Sequence, residues 1–259
     1  MRLEGKIALV TGGGSGIGHG CAIELARDGA DIVLNDRPDS PTLADAAAEI
    51  RDFGRQCWPI GANVFERSGC ESLIEQAVSQ AGHLDILVSN PAYSFRSPFL
   101  EYPAEEFEKS LQGVLTGGFH MSQLVARHFV EQKIAGNIVF ISSIQAELPI
   151  VNCVAYGAAK AGLNHMTKTI AVELFEHHIN VNVIEPGWID TPGERRFFTE
   201  EQLSGEGAKL PWGRLGTPTD IGKAAAFLSS ADSDYITGTV LKVDGGFEFR
   251  GCREIPAEI

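Results

Sequence analysis

Tyr156 and Lys160 stand four residues apart in the stretch YGAAK, a spacing that stacks both side chains on one face of a helix. A phenol titrating near 10 is a poor base at neutral pH, and bringing it to about 7 takes roughly 4 kcal/mol. One ammonium about 4 Å away at an effective dielectric near 20 supplies about that much. The pair by itself is cheap: four tyrosines and eight lysines in 259 residues produce such a spacing by chance about 0.12 times. Ser143, thirteen residues before the tyrosine, turns the pair into a trio. Its hydroxyl can hold a substrate oxygen while the phenol moves a proton, the acid–base half of a reaction whose other half is hydride transfer to nicotinamide.

A place for the dinucleotide is written at 11–18, where Thr11-Gly12-Gly13-Gly14-Ser15-Gly16-Ile17-Gly18 follows a short aliphatic run and opens a helical pattern. Glycines allow positive φ and a close backbone approach, and the N–H groups and positive end of the helix favour a pyrophosphate. A glycine-rich turn alone is weak evidence, and here the spacing is G-x-x-x-G-x-G. Asp36 sharpens it, since it ends the next aliphatic run twenty residues past Gly16, where a carboxylate can accept from both hydroxyls of an adenosine ribose. The same carboxylate repels a 2′-phosphate. Arg37 could partly accommodate NADP, but Ser15 places no cation in the turn, so NAD is the favoured cofactor. An Asp just before Pro38 would also suit a plain turn. Further along, in Pro186-Gly187-Trp188-Ile189-Asp190-Thr191, backbone groups and the Thr191 hydroxyl could hold the nicotinamide carboxamide.

The elements that must carry these groups alternate. Short aliphatic runs at 7–10, 32–34, 57–60, 84–88, 138–141, 181–184 and 240–243 read as buried strands, and 16–27, 43–53, 68–81, 104–132, 154–176 and 219–228 show helical periodicity. Strands apolar on both faces and joined through helices pair in parallel, with right-handed crossovers placing helices on both sides. The expected fold is α/β, a doubly wound parallel sheet in one domain of 1–259. Ser143 then falls at the carboxyl end of the sheet, where such a fold binds its ligand. Pro103 with Glu105 and Glu106, and Pro218 with Asp220, open two of the helices. The long stretch 187–217 holds Trp188, Arg196, Phe197, Phe198 and Trp212 and reads as an irregular substrate lid.

Composition narrows the classes. The length suits one hydrophobic core, and 29 glycines in 259 residues fit many tight strand-to-helix turns. A formal net charge of −13 argues against nucleic acid and anionic lipid as partners. Five widely spaced cysteines with no C-x-x-C pair suggest neither a disulfide framework nor a zinc ribbon and imply a reducing compartment. The opening stretch has neither a signal-peptide core nor a membrane span, so the expectation is a cytoplasmic protein. His177 and His178 have no third ligand in view, and no metal site is expected.

Taken together, TGGGSGIG at 11–18, Asp36, the serine pair ending in Ser143, YGAAK at 156–160, PGWIDT at 186–191 and VDGG at 243–246 resemble the short-chain dehydrogenase/reductase family over essentially the whole chain. The stretches at 138–143, 181–192 and 213–238 look most like bacterial glucose 1-dehydrogenases and short 3-oxoacyl reductases. The resemblance implies a seven-stranded doubly wound sheet, a nicotinamide cofactor and a homotetramer assembled through the fourth and fifth helices and the VDGG end of the sheet. It implies cofactor contacts at Gly12, Ser15, Gly16, Ile17, Gly18, Asp36, Arg37, Asn63, Val64, Asn90, Ala92, Tyr156, Lys160, Pro186, Gly187, Ile189 and Thr191. Three departures stand out. Ser89-Asn90-Pro91-Ala92 replaces N-N-A-G, so the loop beside the cofactor is expected to shift. Val114 replaces the Asn of a proton-relay tetrad, and Asn63 replaces the Asp that usually meets adenine.

The expected activity is NAD-dependent oxidation of a secondary alcohol, or reduction of its carbonyl, in a sugar, polyol or similar polar cyclic molecule. Candidate substrate contacts are Tyr93, Arg96, Gln145, Glu147, Asn152, Trp188 and Arg196, and two arginines would suit an acidic sugar. A 3-oxoacyl or other ketone reductase is the alternative enzyme. A non-catalytic dinucleotide-binding module is the alternative from another class, motivated by Val114 and the altered 89–92 loop.

Overall fold

In the computed structural model, which describes residues 1–252, seven parallel strands form one sheet in the order β3-β2-β1-β4-β5-β6-β7. The strands are β1 (Ile7–Val10), β2 (Asp31–Asp36), β3 (Cys57–Gly61), β4 (Ile86–Ser89), β5 (Asn137–Ile141), β6 (Asn180–Pro186) and β7 (Val240–Val243). The helices are α1 (Gly16–Arg27), α2 (Leu43–Asp52), α3 (Arg67–Ala81), α4 (Ala104–Leu111), α5 (Gly117–Gln132), α6 (Val154–Glu173), α7 (Glu200–Gly207) and α8 (Pro218–Leu228).

The unbroken apolar runs have a direct physical reason: the sheet is covered on both sides, so neighbouring residues that point to opposite faces are equally buried. Ala8 and Val10 pack with Ala22 and Leu25 of α1 and Ile221 of α8. Ile7 and Leu9 pack with Leu73 of α3, Val125 of α5 and Leu163 of α6. Register across the centre pairs Val10 with Leu34 on one side and with Val88 on the other. Between β1 and β4 the winding reverses direction, and the carboxyl ends there open the crevice in which such sheets bind ligands.

Two segments differ from the sequence expectation. The single helix read over 104–132 is interrupted, α4 giving way to a π-helical turn at Gln112–Thr116 before α5 begins. Gly113, Gly117 and Gly118 crowd this stretch, and three poor helix formers so close together weaken the α ladder enough for an extra residue to be accommodated. The stretch 187–217 is not irregular. Its base is closed by an isolated bridge between Ile189 and Gly216. Its body carries a 3₁₀ turn at Glu194–Arg196 and the helix α7, opened by a capping box in which Thr199 and Gln202 satisfy each other's backbone N–H. No helix among the described residues is long and apolar enough to cross a membrane. The described cysteines are all free, with Cys21, Cys57, Cys70 and Cys153 buried.

Candidate active site

The glycine turn sits at the reversal of the sheet. Thr11 N–H donates to the Val88 carbonyl at 3.0 Å and Gly13 N–H to the Asn35 carbonyl at 2.8 Å, pinning the turn between β4 and β2. Gly12 and Gly16 adopt φ of +61° and +57°, the left-handed region that side chains disfavour. At Gly18 a Cβ would lie 2.1 Å from the Gly12 carbonyl oxygen, so the first turn of α1 closes on the loop only without a side chain. Ser15 makes no side-chain cap, which leaves the leading N–H groups of α1 open to an anion.

Asp36 leans across this turn. One carboxylate oxygen accepts from Gly14 N–H and the Ser40 hydroxyl, both at 3.1 Å, and the other from Arg37 N–H at 2.7 Å. The Arg37 side chain turns instead to Asp39, at 3.1 Å. Asn90 stays against the turn despite Pro91: its N–H donates to the Thr11 hydroxyl at 3.0 Å and its amide to the Gly12 carbonyl at 3.3 Å. Asn63 is engaged locally, accepting from Phe65 N–H at 3.1 Å and donating to Glu66 at 2.9 Å, beside buried Val64. Thr191 lies against Gly16, within 3.6 Å of where a Cβ there would sit, and Ile189 is buried beneath it. Together with Ile17, Ala92, Pro186 and Gly187, the residues anticipated for the cofactor come from five separate segments at the carboxyl ends of the strands. A cradle bounded by left-handed glycines, open N–H donors and a carboxylate fits a dinucleotide.

Ser143 follows β5 directly and caps a 3₁₀ turn, its hydroxyl accepting from Gln145 N–H at 3.2 Å. The same hydroxyl favours the ionised form of the Tyr156 phenol. Tyr156 and Lys160 project from the first turns of α6. The lysine amine donates to the Ile141 carbonyl at 2.7 Å and lies 5.4 Å from the Tyr156 ring centre. The geometry therefore assembles the trio.

The protonation states differ from the sequence argument. Burial pushes the Tyr156 phenol up to about 12, against the opposing pull of Ser143, and burial brings the Lys160 amine down to about 7. Lys160 does not acidify the phenol here. Removing an ammonium from water costs more than a single carbonyl returns, so with its charge turned toward Ile141 the amine loses the advantage assigned to it. Val114 sits in the π turn, buried in an apolar cluster, and brings no polar atom to the site.

The anticipated substrate contacts divide. Gln145, Glu147 and Asn152 line an open cleft of about 640 Å³ over the outer side of α6, away from the face that carries Tyr156 and Lys160. Glu147 is held there by Lys242 at 2.6 Å. The Tyr93 hydroxyl is committed to Glu106. Arg96 and Trp188 meet on one residue: Trp188 Nε1 donates to Glu194 at 3.1 Å, and Arg96 lies 3.7 Å from the other oxygen of that carboxylate. Arg196 is exposed in the same turn. Sequence reasoning missed Glu194, whose only signal was its position six residues beyond a tryptophan.

A glycine cradle at the sheet reversal beside a serine–tyrosine–lysine trio defines a nicotinamide-dependent oxidoreductase acting on alcohol or carbonyl groups. Residues 12–248 match a family model described as enoyl-(acyl carrier protein) reductase. The chain is 35% identical over 247 residues to the 2-dehydro-3-deoxy-D-gluconate 5-dehydrogenase of Escherichia coli (strain K12), covering 95% of this chain and 96% of that protein. It superposes on the crystal structure of a short-chain type dehydrogenase/reductase from Mycobacterium marinum with a TM-score of 0.89, at 32% identity and 95% and 96% coverage. An NAD+-bound xylitol dehydrogenase structure gives 0.88 at 29% identity, over 95% of this chain and all of that one. The chain belongs to the short-chain dehydrogenase/reductase family.

Proposed function

We propose that this protein is an NAD-dependent dehydrogenase of a secondary alcohol in a sugar, polyol or similar polar cyclic compound, working reversibly on the ketone. The observation that carries the reading is the meeting of Ser143, Tyr156 and Lys160 at the carboxyl end of β5, beside the glycine cradle. In oxidation, Ser143 holds the substrate hydroxyl; the Tyr156 phenol gives its own proton to the Lys160 amine or to solvent, its oxygen then takes the substrate's proton, and the carbinol hydrogen leaves as hydride. The bound nicotinamide supplies the hydride acceptor and, when oxidised, a positive charge. Lys160, presented from the turn of α6 after Tyr156, is the proton reservoir on the protein side. Asp36 across the turn, with Arg37 paired to Asp39, supports NAD over NADP.

We read the chain as one catalytic domain in which the 187–217 segment closes over substrate. Exposed Phe119, Val130, Val172 and Phe175 on α5, α6 and the turn after it support assembly into a homotetramer. The likeness to a sugar-acid dehydrogenase and a xylitol dehydrogenase supports the substrate class. The test is a spectrophotometric NAD+ and NADP+ screen over sugars, polyols, sugar acids and 3-hydroxyacyl thioesters, with Tyr156→Phe alongside. Turnover of polar cyclic or polyol substrates, reduced about 10²–10⁴-fold in Tyr156→Phe, is expected. Activity confined to thioesters would make it an acyl reductase, and NAD binding with no turnover on any substrate would make it a binding module.

A further inference from the structure

Two charged groups act on the Tyr156 phenol from outside the trio, and they act in opposite senses: Arg96 favours its ionised form and Glu194 disfavours it. Both also act on the buried thiol of Cys153, three residues before the tyrosine, and Ser97 N–H donates to the Asn152 carbonyl at 3.1 Å, which seats the Arg96 loop against the start of α6. Arg96 comes from the loop after β4 and Glu194 from the turn before α7, segments 98 residues apart in sequence.

Arg96 is underused where it stands. Among the described residues its guanidinium donates no hydrogen bond, its approach to Glu194 at 3.7 Å being beyond hydrogen-bonding distance, and it rests over the Phe197 ring at 5.1 Å. Its side chain is 40% exposed. Arg195, next to Glu194 in sequence, shows what a structural arginine looks like in this segment: it grips both oxygens of Asp190 at 2.8 Å and reaches Glu200 at 2.9 Å. Glu194 cannot close the gap to Arg96 without giving up something, because its second oxygen is tied to the Trp188 indole and its own N–H to the Thr191 hydroxyl, at 3.3 Å. A planar fork of five donors with none committed, beside the reacting phenol, is suited to a bidentate carboxylate.

We propose that Arg96 is the carboxylate-binding residue of the substrate site, and that the substrate is a hydroxy acid of the aldonate or ketoaldonate type whose acid group seats on Arg96 while its reacting oxygen lies between Ser143 and Tyr156. Glu194 holds the guanidinium in place before substrate arrives and is displaced from it by the incoming carboxylate. The inference rests on the oxidoreductase reading above and adds to it the charge of the substrate.

The test compares wild type, Arg96→Gln, Arg96→Lys and Glu194→Gln with NAD+ or NADH on matched classes: six-carbon aldonates and ketoaldonates such as D-gluconate and 5-keto-D-gluconate, against the neutral polyols D-glucitol and xylitol. Calorimetry measures D-gluconate binding to Tyr156→Phe and to Tyr156→Phe/Arg96→Gln, both loaded with NAD+. In Arg96→Gln, kcat/KM on the acids should fall about 10–10²-fold further than on the neutral polyols, the extra loss appearing chiefly in KM, while any loss through the phenol is shared by both classes and appears in kcat. Arg96→Lys should recover part of the loss, and Glu194→Gln should lower KM for the acids alone. Turnover of neutral polyols with none of the acids, or equal loss on both classes in Arg96→Gln, overturns the proposal and leaves the oxidoreductase reading standing. If nothing in the panel turns over, that reading fails, and the calorimetry still decides about Arg96: indistinguishable D-gluconate affinity in the two proteins, or no binding to either, rejects it.

Discussion

Lys160→Met is the sharpest perturbation of this structure, because it should improve stability while removing activity. The amine is almost wholly buried, and burial holds it near 7 against an ordinary value of 10.5. At 1.36 kcal/mol per pH unit, keeping that group folded at pH 7 costs roughly 4–5 kcal/mol relative to an exposed lysine. The sign follows from proton counting. Between about 7 and 10.5 the unfolded chain carries the Lys160 proton and the folded one does not, so wild-type stability rises with pH across that window. Methionine has similar reach and no charge. It forfeits the bond to the Ile141 carbonyl, a loss of about 1–3 kcal/mol, and leaves a net gain of about 2 kcal/mol at pH 7. With an unfolding entropy near 2.1 cal/mol/K per residue over 259 residues, that gain corresponds to about 4 °C. By pH 9 the remaining cost in wild type is about 2 kcal/mol, which cancels the advantage. The assay is thermal unfolding of the ligand-free proteins by circular dichroism from pH 7 to pH 9, with turnover measured in parallel. Turnover should fall about 10²–10⁴-fold. A methionine variant that is less stable than wild type at pH 7, or whose difference from wild type does not change with pH, refutes the reasoning.

Asp36→Ser should lower kcat/KM for NAD about 10–10²-fold by removing the charged acceptor, and raise the relative rate with NADP, measured by initial rates with both cofactors. Glu185→Gln probes a second buried ionisable group. Glu185 is fully buried at the end of β6, accepts from the Asn164 amide on α6, and is faced by Lys242 on β7 and by Glu147 and Glu248 beyond it. Its second oxygen and the Asn164 carbonyl oxygen both lack a partner, and a single proton on Glu185 would satisfy the two together. Burial raises its pKa above the unfolded value, so it favours the fold at low pH and loses that contribution as pH climbs. Glutamine, with a permanent donor, should match wild type in melting temperature near pH 4 and exceed it near pH 8. A difference flat with pH would contradict this.

Much of this arrangement can be read locally. The glycine turn announces itself because glycine adopts φ of +61° and +57° without strain and, at Gly18, lets α1 close against the Gly12 carbonyl. The strands announce themselves because β1 is buried on both faces and shows no polar alternation. The π turn at Gln112–Thr116 left only a faint trace, since the apolar period on either side of it continues almost in phase. The helix α7 was masked by charged and glycine residues that read as loop, although the Thr199 and Gln202 spacing of its capping box was present.

The amino-acid order alone determined the αβ alternation, the glycine turn after β1, the carboxylate at the end of β2 and the spacing of Ser143, Tyr156 and Lys160, because each depends on residues a few positions apart or on one strand end. Only the tertiary structure decided which groups those residues face. Burial moves the Tyr156 phenol up and the Lys160 amine down, against the direction expected from their spacing. The meeting of Arg96 with Glu194, and of Asn164 with Glu185, depends on how distant segments pack. Solvation and charge pairing act through space, and separation along the chain says almost nothing about them.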